Sequence, residues 1–480
     1  MPCMSALPHI PALRFGRPYE SLDTSEVRDH ATGQTLAVLS QVNAAMVRKD
    51  LSLAAAGRAA LRAIPADRML EACRRAAELF LTADLPLGAG LQSFEDYIRQ
   101  LSATSGLPHR LARLNSEKIA LVFREMDRVL NGLTRGLSLD DIDSGRARQA
   151  GSTVSYFAET DCLGVVLPSN SPGVNSIYLP AVPLRIPVLL KPGREEPLTP
   201  WRIIQSFIAA GLPPAAFGFY PTSHEGAEAI LTGCRRGIIF GDDSTLARYA
   251  SNHAIEKHGT GRSKVLLGDD AADRWQDALD VIVESVAANS GRSCINASTL
   301  VVPRHAVEIA DALARRLAAI APLPPDHPDA ALSAFANPGF AEMIDAKIQQ
   351  GLEAGDAVDV SAGLPGAGPR LLRTEHGCFL RPTVILCNSA THPLANTEFL
   401  FPFVAVVEMP QEQMLDWIGP SLVVSVVTND PGFTRAALDC RSINRLNLGC
   451  LPTNRIDWDQ PHEGNLFEFL YRRRALMVPA

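Results

Sequence analysis

Between Leu163 and Gly268 short apolar runs alternate with amphipathic stretches, and glycine or proline punctuates them. Residues 164–167 and 186–191 read as buried strands. Thr199 and Pro200 supply a cap residue and a first-turn proline for a helix that Gly211-Leu212-Pro213 ends. The pattern then predicts a strand at 217–220, a helix at 225–231, a strand at 237–240, a helix at 244–257 and a fifth strand at 264–267. Such alternation implies a parallel sheet with helices on both faces, which binds ligands at the carboxyl ends of its strands.

Residues 1–136 are richer in helix, and 67–81 sets Met69, Cys73, Ala76 and Phe80 on one face at helical spacing. Residues 140–157 are polar and alternate near their end, as a protruding hairpin would. After Gly268 a second α/β unit is expected, with strands at 299–302, 358–360, 383–386, 404–408 and 423–428 and helices at 307–319 and 340–354. The proline-rich 322–328 is a loop within it.

Composition narrows the function. The 480 residues are 46% hydrophobic and 20% charged, enough for a large core in two or three domains. With 45 basic and 52 acidic residues the net charge is -7, which argues against nucleic acid or an anionic membrane as the main partner. The longest apolar stretch, 164–190, is broken by five prolines and Arg185, so it does not read as a membrane span. Neither a signal nor a transit segment is read at the amino terminus, and a cytoplasmic enzyme is expected. The nine cysteines form no Cys-x-x-Cys pair and the histidines no His-Glu-x-x-His pattern, so no metal is implied.

One cysteine stands apart. An amphipathic stretch at 277–288 runs into Asn289-Ser290-Gly291-Arg292-Ser293-Cys294. A thiol on a small-residue loop beside a cation has the surroundings that nucleophilic catalysis needs.

Asn-x-Gly-x-x-Cys resembles the nucleophile motif of the aldehyde dehydrogenase superfamily, with Arg292 where that family usually has glutamine. Pro168-Ser169-Asn170-Ser171-Pro172 resembles the family's Pro-Trp-Asn-x-Pro, whose asparagine stabilises the oxyanion. Val188-Leu189-Leu190-Lys191-Pro192 resembles the strand whose lysine contacts the adenosine ribose. Glu398-Phe399-Leu400-Phe401-Pro402 resembles Glu-x-Phe-Gly-Pro, whose glutamate holds the nicotinamide ribose. Pro382-Thr383 resembles a Pro-Thr strand just upstream.

The resemblance implies an α/β fold of two doubly wound domains plus a small oligomerisation hairpin. It places the cofactor domain at 1–136 and 158–267, the catalytic domain at 268–445 and the oligomerisation elements at 137–157 and 466–480. The tail is expected to pair with another subunit's sheet, in a homodimer or homotetramer. Cys294 and Asn170 are implied as catalytic, and Ser169, Lys191, Arg194, Gly226, Ser244, Leu267, Glu398 and Leu400 as cofactor contacts. Arg194 stands where a ribose-binding glutamate is common, which makes NADP at least as good a fit as NAD, unless Glu195 takes the ribose.

Three departures bear on mechanism. Hydrolytic members carry Glu-Leu-Gly-Gly on the strand before the catalytic domain, and the matching stretch is read as Val265-Leu266-Leu267-Gly268, with Leu266 in place of the base. General-base help is worth roughly 10²–10⁴-fold, so a coenzyme A thiol becomes the better acyl acceptor and a CoA-acylating aldehyde dehydrogenase or acyl-CoA reductase is the expected type. Phe240-Gly241-Asp242-Asp243 replaces Phe-Thr-Gly-Ser near the pyrophosphate, with Asp243 expected as a helix cap. Pro461-His462-Glu463-Gly464 replaces the closing Pro-Phe-Gly-Gly, which offers a substitute acid–base pair. Two further readings stay open: a hydrolytic enzyme that recruits Glu463 or another carboxylate, and a catalytically weak cofactor-binding or scaffold protein that keeps the fold.

Overall fold

The computed structural model describes residues 7–477. Cys3 and the end of the expected tail, 478–480, lie outside them. The chain divides into two compact units. The first comprises Met1–Ser105, Ala112–Gly259 and Asp457–Ala480, the second Gly106–Leu111 and Thr260–Ile456.

The first unit is built on a seven-stranded sheet. Its strands are β1 (Ala12–Arg14), β2 (Arg17–Tyr19), β3 (Leu163–Val166), β4 (Val188–Lys191), β5 (Phe217–Phe219), β6 (Arg236–Phe240) and β7 (Ile255–His258), in the spatial order β7-β6-β3-β4-β5-β1-β2. From β7 to β5 the pairing is parallel, and β1 and β2 close the edge antiparallel. The apolar runs of β3, β4 and β5 are buried, as strands covered on both faces must be. The expected helices form at Leu198–Ala209 and His224–Gly233. Glu196, not Thr199, caps the first of these, accepting the Thr199 N–H at 2.7 Å. The amino-terminal helix Ala66–Thr82 buries Met69, Cys73, Ala76 and Phe80, the face its spacing predicts.

The region read as one helix over 244–257 differs. A helix forms only at Asp243–Ala247. Asn252 then accepts the Ala254 N–H at 2.9 Å, an Asx turn that redirects the chain into β7. The Ala-, Leu- and Arg-rich start of the segment favours helix, and β7 is a short edge strand, Ile-Glu-Lys-His, with no apolar run to announce it.

The consequence reaches the second unit. Its sheet holds β8 (Ser263–Leu267), β9 (Ala297–Val302), β10 (Ala357–Asp359), β11 (Thr383–Cys387), β12 (Phe403–Glu408), β13 (Ser421–Val427) and β14 (Ile443–Leu448), in the order β10-β11-β12-β9-β8-β13-β14. The run at 264–267 is therefore not the fifth strand of the first sheet. It is a central strand of the second, paired in parallel with β9 and β13. The unit boundary falls at Gly259 and Thr260, eight residues before the one expected, and the second unit continues to Ile456. Helices at Ala306–Leu317 and Pro338–Glu353 fall where predicted.

The expected hairpin forms from Arg146–Gln149 and Ser152–Ala158, after a short helix at Leu139–Ser144. Tyr471–Arg474 joins it as a third strand, antiparallel to Ser152–Ala158. The tail thus pairs with its own chain's sheet.

Candidate functional site

In the second unit Cys294 lies at the end of a loop held by many directed contacts. Asn289, Ser290 and Gly291 all have positive φ (51°, 58° and 66°), a conformation that costs non-glycine residues free energy and persists only where the surroundings hold it. Asn289 donates to Ser293 Oγ at 3.0 Å, and the Ser290 hydroxyl accepts the Ser333 N–H at 2.8 Å. Asn296 accepts the Ser293 N–H at 2.9 Å and donates to the carbonyls of Ser285 and Ala288. Gly291 packs so closely on the Phe401 backbone that a β-carbon would collide with it. Arg292 is buried, donates to the Ala334 carbonyl and lies over the Phe335 ring; burial lowers its pKa to about 10. Cys294 itself is a half-buried thiol.

The segment just before β8 and its first residue touch both chemical candidates of this unit. Ser263 donates its hydroxyl to the Cys294 carbonyl at 2.8 Å, and the Arg262 N–H donates to Glu398 Oε2 at 2.6 Å. Burial raises the Glu398 pKa to about 8, while the Arg262 and Gly261 amides favour its charged form. Lys264 is fully buried, with its Nζ on the Arg262 carbonyl and Ser421 Oγ, and burial lowers its pKa to about 7. Leu400, half-buried, lies two residues beyond Glu398, between Phe399 and Phe401.

In the first unit the parallel strands bring their carboxyl ends to one edge. β3 pairs Val166 with Lys191 of β4 and with Ile239 of β6, and runs on into Pro168-Ser169-Asn170. The Ser169 hydroxyl accepts the Glu195 N–H at 3.1 Å, and Gly193 packs against Ser169 and Pro168 with no room for a β-carbon. Asn170 is half-buried, and next to it Ser171 donates to Asn115 Oδ1 at 3.3 Å. Lys191, Ser169, Arg194 and Glu195 thus share one loop cluster. Arg194 is exposed; burial lowers the Lys191 pKa, with Glu195 opposing. An ammonium, an exposed guanidinium and a hydroxyl fit the ribose and 2′-phosphate of a dinucleotide.

Other expected contacts are placed differently. Gly226 is a packing residue, its backbone against the Thr222 side chain, whose hydroxyl donates to the Val42 carbonyl. Ser244 donates to Asp242 Oδ1, and that oxygen also accepts the Thr245 N–H, so Asp242, not Asp243, is the helix cap. These hydrogen bonds, led by that from the Thr245 backbone, lower the Asp242 pKa. Leu266 and Leu267 are both fully buried in β8, in separate apolar clusters on opposite faces of the second sheet. The Leu267 side chain is therefore part of the core and offers no side-chain contact at a strand edge. Leu266 does not stand at the end of the strand that precedes the second unit.

That strand is β7, and it ends at His258. The buried His258 ring has Nε2 2.9 Å from Glu256 Oε1 and Nδ1 2.5 Å from Glu463 Oε2. Burial alone would lower its pKa, but the two glutamates raise it to about 9. The sequence reading singled out His462 and Glu463 but not Glu256 or His258, which only the polar pair at alternate positions of β7 would have betrayed. Among the described residues no group of three His, Cys, Asp or Glu side chains is placed to hold a metal ion. No helix there is long and apolar enough to cross a membrane.

Residues 18–431 match the model of the aldehyde dehydrogenase family, and the chain belongs to that family. Its members are oxidoreductases that act on aldehydes with NAD(P). A vanillin dehydrogenase from a Pseudomonas species is 26% identical over 385 residues, 75% of this chain and 74% of that protein. A betaine aldehyde dehydrogenase from Cereibacter sphaeroides is 26% identical over 242 residues, so the match spans about half of that protein's length (48%). Among solved structures, an aldehyde dehydrogenase C variant from Pseudomonas syringae in complex with NAD+ and octanal superposes with a TM-score of 0.79 at 19% identity, over 98% of this chain and 97% of that one. An NADP-dependent enzyme of E. coli gives 0.78 at 16% identity, over 98% of each. They share the fold.

Proposed function

We propose that this chain oxidises an aldehyde to a carboxylic acid with NAD(P)+, through a thioester on Cys294 that water discharges. One observation carries the reading: the three residues Gly261–Arg262–Ser263 fix both Cys294 and Glu398, which sets a nucleophile and a ribose-binding carboxylate in one frame. The thiolate of Cys294 attacks the aldehyde carbon, and Asn170 donates to the oxyanion that forms. Ser169, Lys191 and Arg194 would hold the adenosine side of the cofactor and Glu398 its nicotinamide ribose. Asp242, which fills its own helix end, leaves the pyrophosphate to other donors. When bound, NAD(P)+ supplies the hydride acceptor. The exposed Arg194 favours NADP+.

Transfer to coenzyme A rested on Leu266 as the residue in the base position. Leu266 is a core residue of β8, so that argument loses its footing. The relatives named for betaine aldehyde and vanillin also support an acid as product. A homodimer or homotetramer is proposed on the family resemblance. The test is reduced-cofactor formation from an aldehyde panel, betaine aldehyde and vanillin included, with NAD+ or NADP+, with and without coenzyme A. Turnover to acid without coenzyme A is expected. Turnover that requires coenzyme A would overturn the reading.

A further inference from the structure

In the second unit β8 opens with a charge that its surroundings do not favour. Side chains alternate along a strand, so Lys264 shares the face of Leu266, while Val265 and Leu267 take the other. Its cross-strand neighbours are Thr299 of β9 and Val424 of β13, and Thr299 donates its hydroxyl to the Ala395 carbonyl at 3.0 Å. Lys264 is fully buried there. A methionine would fill that space without the desolvation cost of an ammonium, so the charge points to a task beyond packing.

The contacts of Nζ define the task. It donates to the Arg262 carbonyl at 2.6 Å and to Ser421 Oγ at 3.0 Å. β13 grips the same segment at two further points: the Leu422 N–H donates to the Gly261 carbonyl at 2.7 Å, and the Val423 N–H to Ser263 Oγ at 3.2 Å. Arg262 has a φ of 43°, a conformation that costs a residue with a β-carbon free energy and lasts only where it is held. It is held from both sides, since its N–H goes to Glu398 Oε2 at 2.6 Å and its carbonyl accepts from Lys264. The charged groups that act on Lys264 are Arg262 and Glu398; Thr299, Ser421 and Val424 beside it do not titrate. Burial and the Arg262 guanidinium lower its pKa to about 7, with Glu398 opposing, and in return its ammonium favours the charged form of Glu398.

We propose that Lys264 is a positioning residue for the cofactor, its ammonium fixing the Arg262 main chain and, through it, Glu398, the carboxylate for the nicotinamide ribose. The assignment rests on that reading of Glu398. A carboxylate anchored through one oxygen keeps lone pairs for the ribose hydroxyls, and it accepts from them only while ionised. Without the ammonium, Arg262 relaxes from its positive φ and draws its N–H away from Glu398, while the buried carboxyl shifts toward its neutral form.

The experiment titrates the full-length chain with NAD+ and with NADP+ by calorimetry, without aldehyde, at pH 6 and pH 9, and follows the cofactor that binds the wild type more tightly. Lys264→Met is expected to raise its Kd roughly tenfold at pH 6, where the wild type carries the ammonium. At pH 9, where wild-type Lys264 has lost its proton, the excess should shrink to about threefold or less. A wild-type Kd at pH 6 overturns the proposal, and so does a rise of equal size at both pH values, which lost packing alone would give. If Lys264→Met shows no cooperative thermal transition, Ser421→Ala, which removes the second acceptor of Nζ, decides: a rise in Kd that is larger at pH 6 than at pH 9 supports the assignment, and a wild-type Kd at both overturns it. Wild-type affinity in Glu398→Gln would instead overturn the ribose reading of Glu398 itself.

Discussion

Gly261 and Cys294 meet backbone to backbone: a β-carbon on Gly261 would collide with the Cys294 carbonyl oxygen, which Ser263 also holds. The nucleophile is thus positioned through its main chain as well as its loop. Gly261→Ala is expected to push the Cys294 carbonyl away. Since displacements of about 1 Å at a reacting group cost about 10²-fold, kcat should fall by that order while cofactor affinity changes little. Steady-state kinetics with cofactor titration checks both.

Leu266 offers a test of the corrected strand assignment. As a fully buried residue in the core of the second unit, Leu266→Ala should destabilise by about 2–5 kcal/mol in urea unfolding. Leu266→Glu should be worse, since it buries a carboxylate between its apolar cross-strand neighbours Val301 and Val426. Were Leu266 at a vacant base position, the glutamate would be tolerated and would raise hydrolysis.

The His258 cluster predicts a stability change with pH. His258 has its folded pKa raised from 6.5 to about 9, so its stabilising contribution is complete below about 6.5 and is lost as pH rises through about 9. Thermal midpoints between pH 6 and pH 10 should fall more steeply in wild type than in His258→Gln, and parallel curves would contradict this.

Arg194 is expected to set cofactor preference. Arg194→Glu should raise the KM for NADP+ tenfold or more and lower that for NAD+, as a carboxylate repels the 2′-phosphate and accepts from the ribose hydroxyls. The ratio of kcat/KM for the two cofactors measures it.

The apolar runs made most of both sheets legible, because a strand covered on both faces must be apolar along its length. Edge strands escape that rule. β7 was hidden in a segment with helical composition, and with it went the true end of the first sheet. That one missed strand moved the unit boundary and shifted the base motif onto Leu266, a core residue of β8. Cys294, Asn170 and Glu398 could be picked out as candidates because each sits in a motif whose order along the chain can be read. The partnership of Glu256, His258 and Glu463 was not, since Glu463 meets β7 only through folding, some 200 residues away in sequence. The capping role of Asp242 was read one residue off, as helix starts often are.

β7 also ends the first sheet, and a bare sheet edge is a template on which a foreign strand can add. With only four residues, three of them Glu256, Lys257 and His258, and with Lys257 folded onto the carbonyls of Tyr249, Asn252 and Ile255, this edge is short and charged. The charged residues of β7 therefore guard the sheet edge against aggregation, and apolar replacements there should lower solubility.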